Sequence, residues 1–348
     1  MFIWNDWYVA AWADELKEQP IGRTLLGEEV VLFRGQNGKA VALENRCAHR
    51  GLPLSCGSIT GRGIQCGYHG LTFDGEGKCV DVPGQDRIPP RANLRRYPLV
   101  EKDQMLWIWM GPPARADAGK IVDYPYHNDT AHWPHRHDMY PIRCNGNLLI
   151  DNLMDLTHLG YVHGQTIGGD ADSHVTATMQ ITPKDNGLHF MRWMMNCLPP
   201  PTFAKAVRFG KQRVDRWQEF DLHIPGAIVQ WSGAIDADTG AKEGKREGGF
   251  SLRLFHGITP VTESSCLYFW SASNGYRQDE PQATEQLFAE VGRTFKEDWS
   301  ILEAQQRSLS RYPERNYVDI AADGARLHAR RVFERRLAAE QIHVPVSV

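Results

Sequence analysis

Cys47-Ala48-His49-Arg50-Gly51 and Cys66-Gly67-Tyr68-His69-Gly70 decide how this chain is read. Sixteen residues lie between His49 and Cys66, and each stretch offers one thiolate and one imidazole. A [2Fe–2S] cluster of the Rieske type needs that donor set, two cysteines on one iron and two histidines on the other. A structural zinc site of two Cys and two His usually places a close Cys pair before a close His pair, an order this sequence does not have. Exchanging two thiolates for neutral imidazoles lifts the reduction potential to about −150 to +300 mV, against about −400 mV for an all-cysteine plant-type cluster. Gly51, Gly67 and Gly70 let the backbone approach the cluster and donate amide hydrogen bonds to its sulfurs.

Around these loops the sequence reads as short strands. EVVLFRG and AVALEN flank Gln36-Asn37-Gly38, whose Asn-Gly supplies the positive φ of a tight hairpin. LTFDGEGKCVDV is a second strand–turn–strand, and LWIWMG alternates like a half-buried strand. GPPARADAGK, from Gly111 to Lys120, is rich in Pro, Gly and charge and marks a boundary. The expectation is an α+β chain of two domains: an all-β cluster domain over 1–115 and a second domain over 116–348.

The second domain carries the other constellation. In Asn152-Leu-Met-Asp155-Leu-Thr-His158-Leu-Gly-Tyr-Val-His163, two histidines and a carboxylate fall within one stretch that reads as a helix. Asp155 and His158 share a helix face, and the Asp155 carboxylate is placed to accept the N–H of His158 that faces away from a metal. His163 sits about 140° round an ideal helix from His158, so the helix must distort or end for both to meet one ion. Gly160 and Gly164 make that plausible. A 2-His-1-carboxylate iron site needs one more ligand and leaves positions open for dioxygen. Asp298 supplies it: Phe295, Asp298, Ile301, Leu302, Gln305 and Leu309 form one stripe of the helix from about Pro281 to Tyr312, and Asp298 therefore points inward. Its neighbour Glu297 lies off that stripe. His127, His132, His135 and His137 lie in a loop without ligand spacing. The arginines of the last helix, Arg330, Arg331, Arg335 and Arg336, read as a solvated face.

Composition sets the outer limits. A net charge of −3 gives no attraction to nucleic acid or anionic lipid. No apolar run approaches the roughly 20 residues of a membrane span. The opening MFIWNDWYVAAWADELKE lacks a basic start, and Asn5 and Asp6 interrupt its apolar stretch, so it is not read as a signal peptide and the cytoplasm is expected. The seven cysteines suit that compartment, and Cys56, Cys79, Cys144, Cys197 and Cys266 read as buried structural thiols.

With both motifs in hand, the sequence resembles the vanillate O-demethylase and dicamba monooxygenase group of Rieske non-haem iron oxygenases. CAHRG, CGYHGLTFDGEGKC, NLMDLTHLGYVH, NDWYVAAW, PGQDRIPP, LWIWMG and KEDWSILEAQ carry the likeness nearly end to end. The resemblance implies a C-terminal helix-grip domain, a curved antiparallel sheet folded over helices. It also implies a head-to-tail trimer served by a separate NAD(P)H-dependent flavin and iron–sulfur reductase. The implied chemistry is monooxygenation of an aromatic acid at a mononuclear Fe(II): hydroxylating a methoxy carbon releases formaldehyde, and relatives hydroxylate an aryl methyl group instead. By the same resemblance Asp155 is an electron-transfer bridge reaching the cluster histidine His69 of an adjacent subunit. GAIVQW and RLFHGITP correspond to pocket-lining strands, which makes Gln230 and His256 candidate substrate contacts, with Asn152 at the head of the iron motif a third. A ring cis-dihydroxylating dioxygenase is the alternative enzyme. A Rieske electron carrier is the alternative from another class, but it has no use for His158, His163 and Asp298.

Overall fold

The Gln36-Asn37-Gly38 turn forms as its residues demand: Gly38 takes φ 73° and joins the strands Glu28–Arg34 and Ala40–Glu44, with Phe33 paired to Val41. The computed structural model describes residues 1–341. The chain divides into two units, Met1–Ile121 with Thr259–Thr262, and Val122–Ile258 with the chain from Glu263 onward.

The first unit is built of three small sheets. Trp7–Trp12 pairs with Met105–Trp109, which pairs with Leu99–Lys102. All of Met105–Trp109 is buried, so the half-buried alternation expected of LWIWMG does not hold; this is the central strand of its sheet and both faces are covered. The second sheet runs Ile21–Leu25, Glu28–Arg34, Ala40–Glu44, Arg96–Tyr97. The third runs Ser58–Thr60, Gly63–Gln65, Thr72–Phe73, Cys79–Asp81. Val31, Phe33, Leu43, Ile64 and Phe73 form an apolar core that includes the side chains of Cys47 and Cys66.

The second unit is a seven-stranded antiparallel sheet packed on helices. Its order is His135–Ile142, Ser265–Asn274, Phe250–Thr262, Ala227–Asp236, Val214–His223, Gly187–Cys197, Thr178–Lys184. His135 and His137 thus stand in a strand and not in a loop. Successive side chains point to opposite faces. Gln230 and His256 share one face with Phe295, a residue of the helix Pro281–Arg311 whose ring lies 5.7 Å from that of His256. Trp231 and Arg253, directly paired, stand on the other face.

Four further expectations need correction. The stretch read as one helix over 148–163 is broken: a helix spans Gly146–Met154, Asp155 turns to φ −125°, ψ 104°, a single tight turn spans Leu156–His158, and a short helix spans Leu159–Val162. The Asp155 carboxylate accepts from the Thr157 N–H and hydroxyl at 2.9 and 2.7 Å, a local cap that competes with helix continuation. On the long helix, Phe295, Asp298 and Leu302 are buried, but Ile301 and Gln305 are exposed. Beyond Leu302, Glu303 and Gln306 accept from the backbone N–H groups of Arg143 and Asn145, a polar turn. In the last helix, Gly324–Gln341, three of the four arginines are tied down: Arg330 grips Asp151 with two hydrogen bonds of 2.8 and 2.6 Å, Arg335 donates to the Asp185 carbonyl, and Arg336 to Asn186. Cys56 is exposed, unlike the four other cysteines expected to be buried. Among the described residues no helix is long and apolar enough to cross a membrane.

Candidate metal centres

The two Cys-His loops are built alike. The Cys47 N–H donates to Leu52 and the Gly51 N–H returns to the Cys47 carbonyl, both at 2.9 Å. In the second loop the Cys66 N–H donates to Leu71 at 2.8 Å and the Gly70 N–H to Cys66 at 3.1 Å. Each loop closes on a glycine with positive φ, 72° at Gly51 and 77° at Gly70, a conformation that a residue with a Cβ adopts at a cost. The loops bring the His49 and His69 rings to 4.5 Å and set the buried thiols of Cys47 and Cys66 in hydrogen-bond contact. Burial pushes the Cys47 thiol up, and Cys66 adds to this; the His49 and Arg50 amides pointing at its sulfur oppose it. Desolvation, with the charges of His49 and Arg50, holds the His69 imidazole below its usual pKa. Two adjacent thiols with amide donors, beside two imidazoles, fit a cluster ligated by two thiolates and two neutral histidines.

In the second unit, His158, His163 and Asp298 converge, each offering an atom within 4.8 Å of the others. Asp298 Oδ1 lies 3.1 Å from His163 Nε2 and 3.6 Å from His158 Nε2. The outer nitrogens are held elsewhere. His158 Nδ1 bonds the backbone carbonyl of Asp155 at 2.6 Å, so it is the carbonyl and not the expected carboxylate that orients this ring. His163 Nδ1 bonds Glu297 Oε2 at 2.6 Å. Both acceptors fix Nδ1 as the protonated nitrogen and turn an Nε2 lone pair inward, as metal-bound histidines require. Burial depresses the pKa of His158. Burial also works against His163, but Asp298 and Glu297 together outweigh it and raise its pKa. Asn152 donates its side-chain amide to Asp298 Oδ1 at 3.1 Å. Two imidazoles and one carboxylate on one side of a site form the donor set of a non-haem iron centre with open positions.

Sequence reasoning set Glu297 aside because it lies off the apolar stripe; the structure turns it to His163. It also passed over two buried arginines, Arg192 and Arg216. Arg192 donates to the carbonyls of Leu156 and His174 and to Gln218. Arg216 donates to the carbonyls of Ile167 and Gly168. Both cations are thus spent on the backbone of the segment that bears His158 and His163. A single arginine inside the apolar run from Leu188 to Met195 was the available signal for Arg192.

Gln230 and His256 meet. His256 is fully buried, and burial holds its pKa down at about 3. Its Nε2 bonds Gln230 Oε1 at 2.9 Å, its Nδ1 bonds the Tyr268 hydroxyl at 2.7 Å, and the Gln230 amide donates to Ser232 at 2.7 Å. A neutral His256 donates to Gln230 and accepts from Tyr268, and every member has a partner. His127 is buried, stacked on His135 and bonded to the Ser271 hydroxyl.

Residues 6–98 match the Rieske [2Fe-2S] domain, and residues 142–339 match the vanillate O-demethylase oxygenase C-terminal domain. The chain is 39% identical to a putative toluene-4-sulfonate monooxygenase system iron-sulfur subunit of Comamonas testosteroni, over 98% of both chains. It is 34% identical to the vanillate O-demethylase oxygenase subunit of a Pseudomonas strain, over 98% of this chain and 96% of that one. The crystal structure of dicamba monooxygenase bound to 3,6-dichlorosalicylic acid superposes with a TM-score of 0.91 at 32% identity, covering 98% of this chain and 99% of that one. The chain therefore belongs to the Rieske non-haem iron monooxygenases, as the oxygenase component of a multicomponent system.

Proposed function

We propose that this oxygenase hydroxylates a methyl carbon of a small aromatic acid, either a methoxy carbon that then leaves as formaldehyde or an aryl methyl group. The observation that carries the reading is the convergence of His158, His163 and Asp298, one helical turn from Phe295, whose ring covers His256. His158, His163 and Asp298 would hold the iron, and Cys47, His49, Cys66 and His69 the cluster. When bound, these groups supply dioxygen activation and single electrons respectively. The protein's part is to present unprotonated Nε2 atoms, keep positions open, and hold the substrate carbon close while excluding water. Gln230, His256 and Asn152 are the candidate polar contacts to substrate. The carboxylate of Asp155, free of the His158 ring, is assigned as the bridge to His69 of the partner subunit in a homotrimer.

The division of labour is a cluster domain over 1–115 and a catalytic domain over 116–348. A reductase feeds the cluster, and we assign it to the NAD(P)H-dependent flavin and iron–sulfur type, in the cytoplasm. Relatives named for toluene-4-sulfonate and vanillate support a methyl- or methoxy-bearing aromatic anion as substrate. The test is a screen of methylated and methoxylated benzoates and benzenesulfonates with a surrogate reductase, following oxygen uptake, formaldehyde and isotopic oxygen in product. Formaldehyde or a benzylic alcohol carrying one oxygen atom is expected, with about three irons per chain. A cis-diol product, or two irons per chain and no oxygen uptake, overturns the reading.

A further inference from the structure

The face of the large sheet turned away from His256 carries a layered stack of cations and rings. The Arg246 guanidinium lies 4.7 Å from the Trp231 ring centre and 4.8 Å from Trp193. On the other side, Arg253 lies 4.2 Å from Trp231 and 4.5 Å from Tyr126. Arg246, Trp231 and Arg253 of this stack form the floor of a cavity of about 1030 Å³, rimmed by Lys205, Arg208 and Arg277. Five cationic side chains line it against one carboxylate, Glu247.

These charges are unequally satisfied. Arg246 is paired with Glu219 at 2.8 Å, and Arg277 with Glu280. Among the described residues no carboxylate lies within ion-pair distance of Arg253, Arg208 or Lys205. The Arg253 Nε–H is buried without an acceptor. Ring faces attract a guanidinium but accept no in-plane N–H, so they leave this donor unmet. Arg253 is half-buried and feels the Glu219 carboxylate only through space, so an anion from outside the chain would supply the direct contact that it lacks. The cavity is of the size that takes small organic ligands, and its walls of Trp133, Trp231 and Tyr276 favour a weakly hydrated organic anion over a free phosphate.

We propose that this cavity is a second, non-catalytic binding site for an aryl carboxylate or aryl sulfonate, whose anionic head meets Arg253 and Arg208. The floor of the site, Trp231 and Arg253, lies on the opposite face of the sheet from Gln230 and His256, so a ligand there occupies the protein together with substrate. The claim stands apart from the substrate assignment, because it is read by binding stoichiometry and not by turnover.

The test is equilibrium dialysis of the metal-loaded enzyme with labelled benzenesulfonate, counting equivalents bound per chain. Arg253→Gln removes the charge at the floor, and Arg208→Ala removes a rim charge without touching the stack. Each is expected to weaken one equivalent about tenfold or more, the loss of a charge-assisted hydrogen bond. Turnover of any methyl- or methoxy-bearing substrate stays within twofold. An unchanged number and affinity of bound probe in Arg208→Ala and in a folded Arg253→Gln overturns the proposal. Displacement of the sensitive equivalent by equimolar inorganic phosphate also overturns it, since the pocket would then recognise only an anionic head.

Discussion

Glu297→Gln isolates the contact that orients His163. The carboxylate accepts the Nδ1–H at 2.6 Å from an imidazole only 1% exposed, while its own side chain is 35% exposed. Glutamine keeps the shape but makes the acceptor neutral. Hydrogen bonds with one ionised partner contribute about 1.5–3 kcal/mol, neutral ones about 0.5–1.5 kcal/mol, so the exchange costs about 1–1.5 kcal/mol and weakens Fe(II) binding roughly tenfold. Glu297→Ala removes the acceptor outright and should approach the hundredfold end of what such outer carboxylates contribute. The assay strips the mononuclear iron with a chelator and titrates Fe(II) back, with cluster absorbance as an internal gauge of fold and concentration. Wild-type Fe(II) affinity in both variants refutes the reasoning. Loss of more than about a thousandfold in Glu297→Gln refutes it the other way, by making Glu297 itself a ligand.

Three further outcomes are expected. His256 is buried neutral with a folded pKa of about 3 against about 6.5 unfolded, so its stabilising preference for the neutral form is complete above pH 6.5 and is lost as pH falls toward 3. At pH 5 this costs about 2 kcal/mol relative to pH 7.5, and His256→Phe should shrink the wild-type drop in denaturant midpoint over that range; an unchanged drop contradicts the burial argument. Gly160→Ala would put a Cβ 2.4 Å from Ala171 Cα, so an overpacking cost of about 1–3 kcal/mol and poorer iron retention are expected from thermal melts and metal analysis. Asp155→Asn keeps an oxygen to cap Thr157 and keeps the carbonyl that holds His158, so both metals should load while cluster reoxidation on mixing with dioxygen slows. Wild-type reoxidation in an iron-loaded mutant would remove Asp155 from the electron path.

The Cys-His loops, the His158–His163 motif and Asp298 were legible in the sequence as candidate ligands because metal-binding side chains are few in type and fixed in spacing. The hairpin at Asn37-Gly38 and the helix from Pro281 were legible for a different reason: local backbone chemistry decides them. What holds those ligands was not legible. Glu297 looks like a solvated helix residue until the fold brings His163 beside it, 134 positions away in sequence. Arg192 and Arg216 spend their charge on carbonyls, and any residue has a carbonyl, so no side-chain pattern announces the partner. Asp155 reads as a helix residue until its own side chain is seen capping Thr157 and ending the helix there. Which residues are candidate ligands follows from residue chemistry and spacing, and both can be read along the chain. Ligand orientation depends on which distant backbone and carboxylate oxygens the packed sheet and helices bring within 3 Å, and only the tertiary structure decides that.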